Sequence, residues 1–145
     1  MRYDTYKNKA EAEADRRQQQ SMLTALQGWQ RGLRRDECNA WCIDGNHGRI
    51  FTWGDGKSWV IFVARRWSSA KRRMAKFTTI SQSGDTEGCV KLDRLPTLEE
   101  AAIIRDVIGL RKRPAYSEEA LAAKRASALR ARSIWNSDSR AESGP

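Results

Sequence analysis

A series of short apolar runs, each ended by a turn, occupies residues 39–92 and restricts this chain to a sheet-based fold. Residues 40–43 precede the turn Asp44-Gly45-Asn46, and residues 49–53 precede Gly54-Asp55-Gly56. Gly, Asn and Asp between apolar runs favour tight turns that join antiparallel strands. Further strands are predicted at residues 59–64, 74–80 and 89–92, which makes an antiparallel sheet of four to five strands.

Helices are predicted before and after this sheet. Residues 5–35 contain no proline and are predicted to form one helix, with an apolar stripe at Met22, Leu26, Trp29 and Leu33. The stripe can dock on the core, and a protein partner or second copy is the alternative. A capping box at residues 97–100 starts a second helix, which Gly109 ends, and a third helix runs from Ser117 to about Ser133.

The predicted fold class is therefore α+β, with a long N-terminal helix, a four- to five-stranded antiparallel sheet and two C-terminal helices. The N-terminal helix occupies residues 1–36, and the sheet with its following helix forms a core domain over residues 37–110. A basic helical arm is expected at residues 111–133. Residues 134–145, with their Ser, Asp, Gly and Pro, are expected to be a disordered tail.

Positive charge is concentrated in two segments. The chain has 27 Lys+Arg against 18 Asp+Glu, a net charge of +9. Residues 65–76 hold six basic side chains and no acid, and residues 111–132 hold seven basic side chains against two acids. Like charges this close repel one another unless solvent or a polyanion offsets them. Nucleic acid is the first partner that this pattern indicates, followed by an acidic protein surface.

The first basic segment is predicted to connect the two strands of a β-hairpin. A two-stranded ribbon fits the major groove of duplex DNA, and arginine offers a fork for guanine or phosphate. A solvated loop is the simpler alternative. Trp67 is the best candidate for stacking on a base, because it lies inside the charged segment. The predicted nucleic-acid contacts are Arg49, Lys57, Trp59, Arg65, Arg66, Trp67, Lys71, Arg72, Arg73, Lys76, Arg111, Lys112 and Arg113.

No combination of residues predicts an active site. Cys38, Cys42, His47 and Cys89 lack the spacing of a zinc site, and His47, the only histidine, lies in a glycine-flanked turn. Aspartates beside glycine indicate turns, and no glycine-rich phosphate loop is present. The chain is therefore predicted to be non-enzymatic, without a cofactor or a metal.

Cysteine usage and hydropathy predict a cytoplasmic protein. The three cysteines have no paired spacing, which fits a reducing compartment. No apolar run approaches the roughly 20 residues of a membrane span, so no membrane contact is expected. The first residues also lack the apolar segment of a secretory signal.

Three motifs between residues 49 and 109 follow the order strand, turn, strand, further strand, helix. They are Trp53-Gly54, Lys57-Ser58-Trp59-Val60 and Thr97-Leu98-Glu99-Glu100-Ala101-Ala102. In this order they resemble the ethylene-response-factor type of DNA-binding domain, also carried by phage and mobile-element proteins, and its integrase-arm relatives. The resemblance implies a three-stranded sheet in the major groove, with DNA contacts at Arg49, Lys57, Trp59 and Arg65. Residues 93–96 depart from the family's Gly-x-Phe, and an extra loop and strand separate residue 80 from the helix.

Direct binding of DNA or RNA through the basic hairpin and the 111–133 arm is the primary prediction. A small basic protein without catalytic residues can also be a phage-type inhibitor of the anti-CRISPR kind, or an adaptor that binds a host nucleic-acid-processing complex. It can further be a structural component of a ribonucleoprotein. In each case the partner is a nucleic acid or a nucleoprotein complex, with a possible protein partner on the N-terminal helix.

Overall fold

The computed structural model describes residues 6–114 and 122–132. The first range contains three α-helices, one short 3-10 helix at Gln30–Gly32 and six strands, which confirms the predicted α+β class with six strands in place of four or five. The elements are α1 (Lys9–Ala25), β1 (Leu33–Arg35), β2 (Trp41–Asp44), β3 (Gly48–Thr52), β4 (Trp59–Val63), α2 (Trp67–Met74), β5 (Thr79–Ser83), β6 (Gly88–Leu92) and α3 (Leu98–Ile108).

The chain divides into two compact units, Met1–Arg113 and Pro114–Pro145. In the second unit residues 122–132 are helical, and the remainder of the predicted arm helix lies outside the described residues, as does the predicted tail at 134–145. Within the described ranges, no helix has both the length and the apolar character to cross a membrane.

The sheet is antiparallel, with strand order β1-β2-β3-β4-β6-β5. One row across its centre joins Ile43, Ile50, Ile61 and Val90 on four neighbouring strands, and all four side chains are fully buried. Side chains in β4 alternate, with Trp59, Ile61 and Val63 on the buried face. This face is therefore the one on which the helices pack.

All three helices contribute to a single core on that face. The buried helical residues are Met22, Leu23 and Leu26 from the α1 region, Trp67, Ala70 and Met74 from α2, and Ala101, Ile104, Val107 and Ile108 from α3. Each large side chain buried in this way contributes about 1.5–3 kcal/mol to folding. The apolar stripe of the N-terminal helix thus docks on the core through Met22 and Leu26.

The N-terminal helix is shorter than predicted, since it ends near residue 26 and not at residue 35. Gln27 adopts a positive φ of 51°. The backbone N–H of Gly28 donates to the carbonyl of Leu23, and that of Gln27 donates to Thr24. These two bonds form a Schellman motif, which turns the chain away from the helix axis. Trp29 and Leu33, which the stripe placed within the predicted helix, therefore lie beyond the end of α1.

Gln19 connects α1 to the sheet through its side-chain amide. The Nε2 atom donates to the backbone carbonyls of Ile50, at 2.9 Å, and Trp41, at 3.3 Å. The side chain is fully buried. The carbonyls belong to the neighbouring strands β3 and β2, where the pairing of these two strands ends at Ile43 and Ile50. The helix therefore supplies hydrogen bonds that these two strands do not make to each other there.

The predicted basic β-hairpin is wrong, because residues 67–74 form the helix α2. The strand predicted at 74–80 begins at Thr79, and its partner is β6 and not β4. Trp67, Ala70 and Met74 are spaced three and four residues apart, so they form one buried helical face. Arg66, in the left-handed conformation at φ 54°, turns the chain from β4 into this helix.

Helix α3 begins with the predicted capping box and ends at Gly109 as predicted. The Thr97 hydroxyl accepts from the backbone N–H of Glu100, and the Glu100 carboxylate accepts from the backbone N–H of Thr97. Gly109 adopts φ 68°, which favours glycine.

Removal of the Thr97 hydroxyl tests its role as the N-cap of α3. Thr97→Ala is expected to lower the free energy of unfolding by about 1 kcal/mol, because a first-turn N–H loses its acceptor. Chemical denaturation measures the change, and Thr97→Ser, which keeps the hydroxyl, is the control. Equal losses in the two variants would contradict a capping role.

Acidic pH should destabilise the start of α3, because it protonates Glu100. Arg94 donates two hydrogen bonds to Glu100, at 2.6 and 2.9 Å, and with the Thr97 N–H these lower the pKa of Glu100 from 4.5 to about 2. A depressed folded-state pKa stabilises the protein above the unfolded value, and this contribution is lost as the pH falls through the folded value.

The stability difference between wild type and Glu100→Gln should therefore shrink as the pH falls from about 5 to about 2. Urea denaturation at the two pH values measures it. A difference that is the same at both would show that the ionised Glu100 does not contribute.

Candidate functional site

The turn between β2 and β3 brings several elements together at one end of the sheet. The backbone N–H groups of Asn46 and His47 donate to the carbonyls of Gly109 and Ile108, at 3.1 and 2.8 Å. The carbonyl of His47 accepts from Ala64, just after β4, at 2.8 Å. The end of α3 and the start of the α2 segment therefore meet at this turn, and we call this region the turn end.

Gly45 is required at the turn end. A β-carbon there would lie 2.1 Å from the carbonyl oxygen of Ile108, which is a backbone atom that cannot move aside. The close approach of the turn to α3 thus depends on a residue without a side chain.

A small cavity at the turn end is lined by three arginines among its eight residues. Its polar lining consists of His47, Arg65, Arg66, Ser69, Arg73 and Asp106, and Ala70 and Val107 complete its walls. The volume is about 210 Å³. We call it the arginine cavity. Three guanidinium groups converge here around a single carboxylate.

The carboxylate in the arginine cavity is engaged by one of the arginines. Arg73 donates through Nη1 to Asp106 at 2.5 Å. This bond is the main reason that the pKa of Asp106 lies below its ordinary value, and the charges of Arg66 and His47 act in the same direction. Arg65 and Arg66 have no ion pair or hydrogen bond from their side chains to any described residue. Two positive charges in the cavity therefore stay uncompensated.

A second basic group lies around Trp29. The guanidinium carbons of Arg31 and Arg111 stand 5.2 and 5.6 Å from the centre of its rings, which is within cation–π range. The backbone N–H of Trp29 donates to the carbonyl of Arg111, and the backbone N–H of Arg113 donates to the carbonyl of Gln27. Residues 111–113 are thus held in extended form beside the end of α1. We call Trp29, Arg31 and Arg111 the Trp29 cluster.

The two basic groups are neighbours at the turn end. The Trp29 cluster lines a cavity of about 350 Å³ together with Gly45 and Asn46, the residues next to His47. The basic segments 65–73 and 111–113 are therefore brought to opposite sides of one turn, although about 40 residues separate them in the sequence.

The remaining predicted site residues are distributed around this region. Lys71, half-buried, lies 5.9 Å from the centre of the Trp67 ring, and Arg72 and Lys112 are exposed. Lys57 lies in the β3–β4 turn, at the other end of the sheet. Lys76 borders a depression shared with Lys91 and Asp93, at the far end of β6.

Arg49 is less available than the sequence suggests. Its guanidinium donates to Asp44 at 2.9 Å and to Glu37 at 3.1 Å. Two carboxylates therefore offset its charge on the face of the sheet that the helices leave uncovered.

Trp59 and Trp67 cannot serve as predicted, because their rings belong to the core. Trp59 is 5% exposed and Trp67 is 1% exposed. The indole N–H of Trp67 donates to the Ser83 hydroxyl at 3.0 Å. The buried ring therefore anchors α2 in the core together with Ala70 and Met74. Trp53, which is 48% exposed with Lys91 over its ring at 4.7 Å, is the accessible tryptophan that the site prediction omitted.

Sequence reasoning also missed four residues at the turn end: Arg31, His47, Ser69 and Asp106. His47 was considered only as a metal ligand or catalytic partner. Arg31 is isolated in sequence from both basic segments, and Asp106 falls in the acidic stretch before Gly109. Only Ser69 carried a signal, since it lies within the basic segment itself.

The described residues hold no group of three or more His, Cys, Asp or Glu placed to bind a metal ion. Burial raises the pKa of the Cys42 thiol to about 11, which disfavours its reactive thiolate. Comparison of the chain with protein-family models, curated proteins and solved structures found no match.

Proposed function

We propose that this chain is a non-enzymatic nucleic-acid-binding protein whose contact surface is the turn end together with the exposed face of α2. The observation that carries the proposal is the convergence of the segments 65–73 and 111–113 at one turn. Cations from two distant segments border the same turn, and an anionic partner that spans the turn would offset their mutual repulsion.

The state of the individual side chains supports this surface. Arg65, Arg66 and Arg72 are exposed, and no carboxylate among the described residues pairs with them. By contrast, the arginines elsewhere on the same unit are largely paired: Arg16 with Glu13, Arg49 with Asp44, and Arg94 with Glu100. Most of the described arginines in this unit that have no carboxylate partner thus lie in α2 and at the turn end.

The same distribution favours a helix-and-turn surface over the open face of the sheet. Of the four contacts that the family resemblance implies, Trp59 is buried and Arg49 is neutralised, whereas Arg65 lies in the arginine cavity. A polyanion on the sheet face would have to displace Glu37 and Asp44 from Arg49. The turn end needs no such rearrangement.

A binding panel tests the proposal directly. Filter binding of duplex DNA, single-stranded DNA and duplex RNA, each at two salt concentrations, should show affinity for at least one of them. Its log K should fall by about 0.9 per phosphate contact for each tenfold rise in salt. Absence of binding to all three at low salt would reject the proposal, and a nuclease-resistant protein partner in a pull-down would then support the inhibitor alternative.

A further inference from the structure

We propose that the arginine cavity binds a phosphate monoester, which under the proposed function is the terminal phosphate of a nucleic-acid strand. The inference rests on that function for the identity of the ligand and on the geometry of the cavity for its chemistry.

Charge indicates the kind of phosphate. Arg65, Arg66 and Arg73 against Asp106 leave two positive charges when His47 is neutral. A phosphate monoester carries about −1.5 to −2 at neutral pH, whereas each backbone phosphate of a nucleic acid carries a single charge. The dianion is therefore the better match to the cavity.

Size indicates a single group. The volume of about 210 Å³ lies below that of pockets for drug-sized ligands, which begin at about 300 Å³. The cavity is too small for a base with its sugar and phosphate. It suits one phosphate group that projects from the end of a strand.

The donors in the cavity suit phosphate oxygens. Asp106 engages Nη1 of Arg73, and this bond orients the guanidinium while its other nitrogens keep their N–H groups. The guanidinium groups of Arg65 and Arg66 supply further N–H donors, and Ser69 supplies a hydroxyl.

The test uses His47 as a reporter, because it is the only histidine in the chain and its Cε1–H proton resonance is unambiguous. The full-length protein is titrated with inorganic phosphate, and sodium chloride at matched ionic strength is the control. Wild type should show a saturable shift with phosphate alone. Arg66→Gln should weaken phosphate binding by at least about tenfold, the usual cost of one charge-assisted hydrogen bond. Arg72→Gln, a matched exposed change outside the cavity, should not.

Oligonucleotides of one sequence then identify the source of the phosphate. Strands with a 5′-phosphate, a 3′-phosphate or hydroxyls at both ends are compared. In wild type and in Arg72→Gln, one phosphorylated strand should bind at least about tenfold more tightly than the strand with hydroxyls at both ends. In Arg66→Gln, the phosphorylated and hydroxyl strands should bind with equal affinity.

The outcomes separate this inference from the proposed function. A shift that does not saturate, or that chloride reproduces, overturns the phosphate site while leaving nucleic-acid binding untouched. Equal affinity for all three strands overturns the strand-end assignment. A saturable phosphate shift without binding of any oligonucleotide supports the cavity and rejects the proposed function.

Discussion

A variant with Arg65, Arg72 and Lys112 all changed to Glu is expected to bind nucleic acid about 500-fold more weakly at about 0.1 M salt. Each lost phosphate contact removes about 0.9 from log K at that salt, so three contacts remove about 2.7. The three side chains are exposed and come from both basic segments. The variant therefore tests whether the segments act as one surface. The dependence of log K on log salt should become shallower by about 2.7.

The matched control carries the same change of charge at the other end of the molecule. Lys7, Lys9 and Lys57 are exposed, and Glu11 in the first turn of α1 lines a cavity together with Gly54 and Gly56 of the β3–β4 turn, which contains Lys57. Glutamate near the start of α1 is also favourable to the helix dipole, so folding should be preserved. Similar losses in both variants would show that net charge alone matters, which would contradict a contact surface at the turn end. Arg73 is left unchanged because Glu there would face Asp106.

Trp67→Ala is expected to lower the free energy of unfolding by about 3–5 kcal/mol, the usual cost of truncating a buried aromatic side chain to alanine. Small domains are stable by only about 5–15 kcal/mol, so this is a large fraction of the total. The ring is 1% exposed and is the largest of the three α2 side chains in the core. Its loss should release α2 from the sheet and weaken nucleic-acid binding for that reason. Thermal and urea denaturation measure the stability.

Two further variants separate anchoring from stacking. Trp67→Phe keeps most of the apolar ring and loses the hydrogen bond to Ser83, so it should cost less stability and retain binding. Gly88→Ala acts on the same contact from the sheet, because its β-carbon would lie 2.2 Å from a carbon of the Trp67 ring. It should therefore destabilise the protein as well. A Trp67→Ala protein that melts like wild type but no longer binds nucleic acid would mean that the ring contacts the ligand.

Local signals predicted the parts of the fold that short stretches of sequence determine. The capping box at Thr97 and the stop at Gly109 both appear where their chemistry places them. The alternation in β4 follows from a period of two, which any single strand shows on its own. Each of these features depends on neighbours within a few residues.

The errors arose where the determining contact is distant or the residue type is unusual. The end of α1 falls at Gln27, where glycine is the residue more often found in a left-handed cap. Helix α2 has no capping side chain, begins after Arg66 at positive φ and has only eight residues. The spacing of Trp67, Ala70 and Met74 was its one helical signal, and the surrounding charges obscured it.

The candidate site could not be predicted from the sequence, because it depends on the topology of the fold. The residues of the basic segment could be named from the sequence, but their neighbours depend on how the chain folds around the sheet. His47 and Asp106 lie beside Arg65 and Arg66 only because the β2–β3 turn is fixed to the end of α3, and Arg111 borders the same turn from its other side. No spacing in the chain encodes that contact.

The amide of Gln19 has a practical consequence for dissecting this protein. A fragment that begins after α1 would leave the main-chain oxygens of Trp41 and Ile50 without the amide from which they accept, at the point where the pairing of β2 and β3 ends. Removal of α1 should therefore weaken the association of β2 with β3 in the interior of the sheet. The smallest fragment that folds should therefore include α1. If α1 is removed, faster amide hydrogen exchange in β2 and β3 should be the earliest sign of destabilisation.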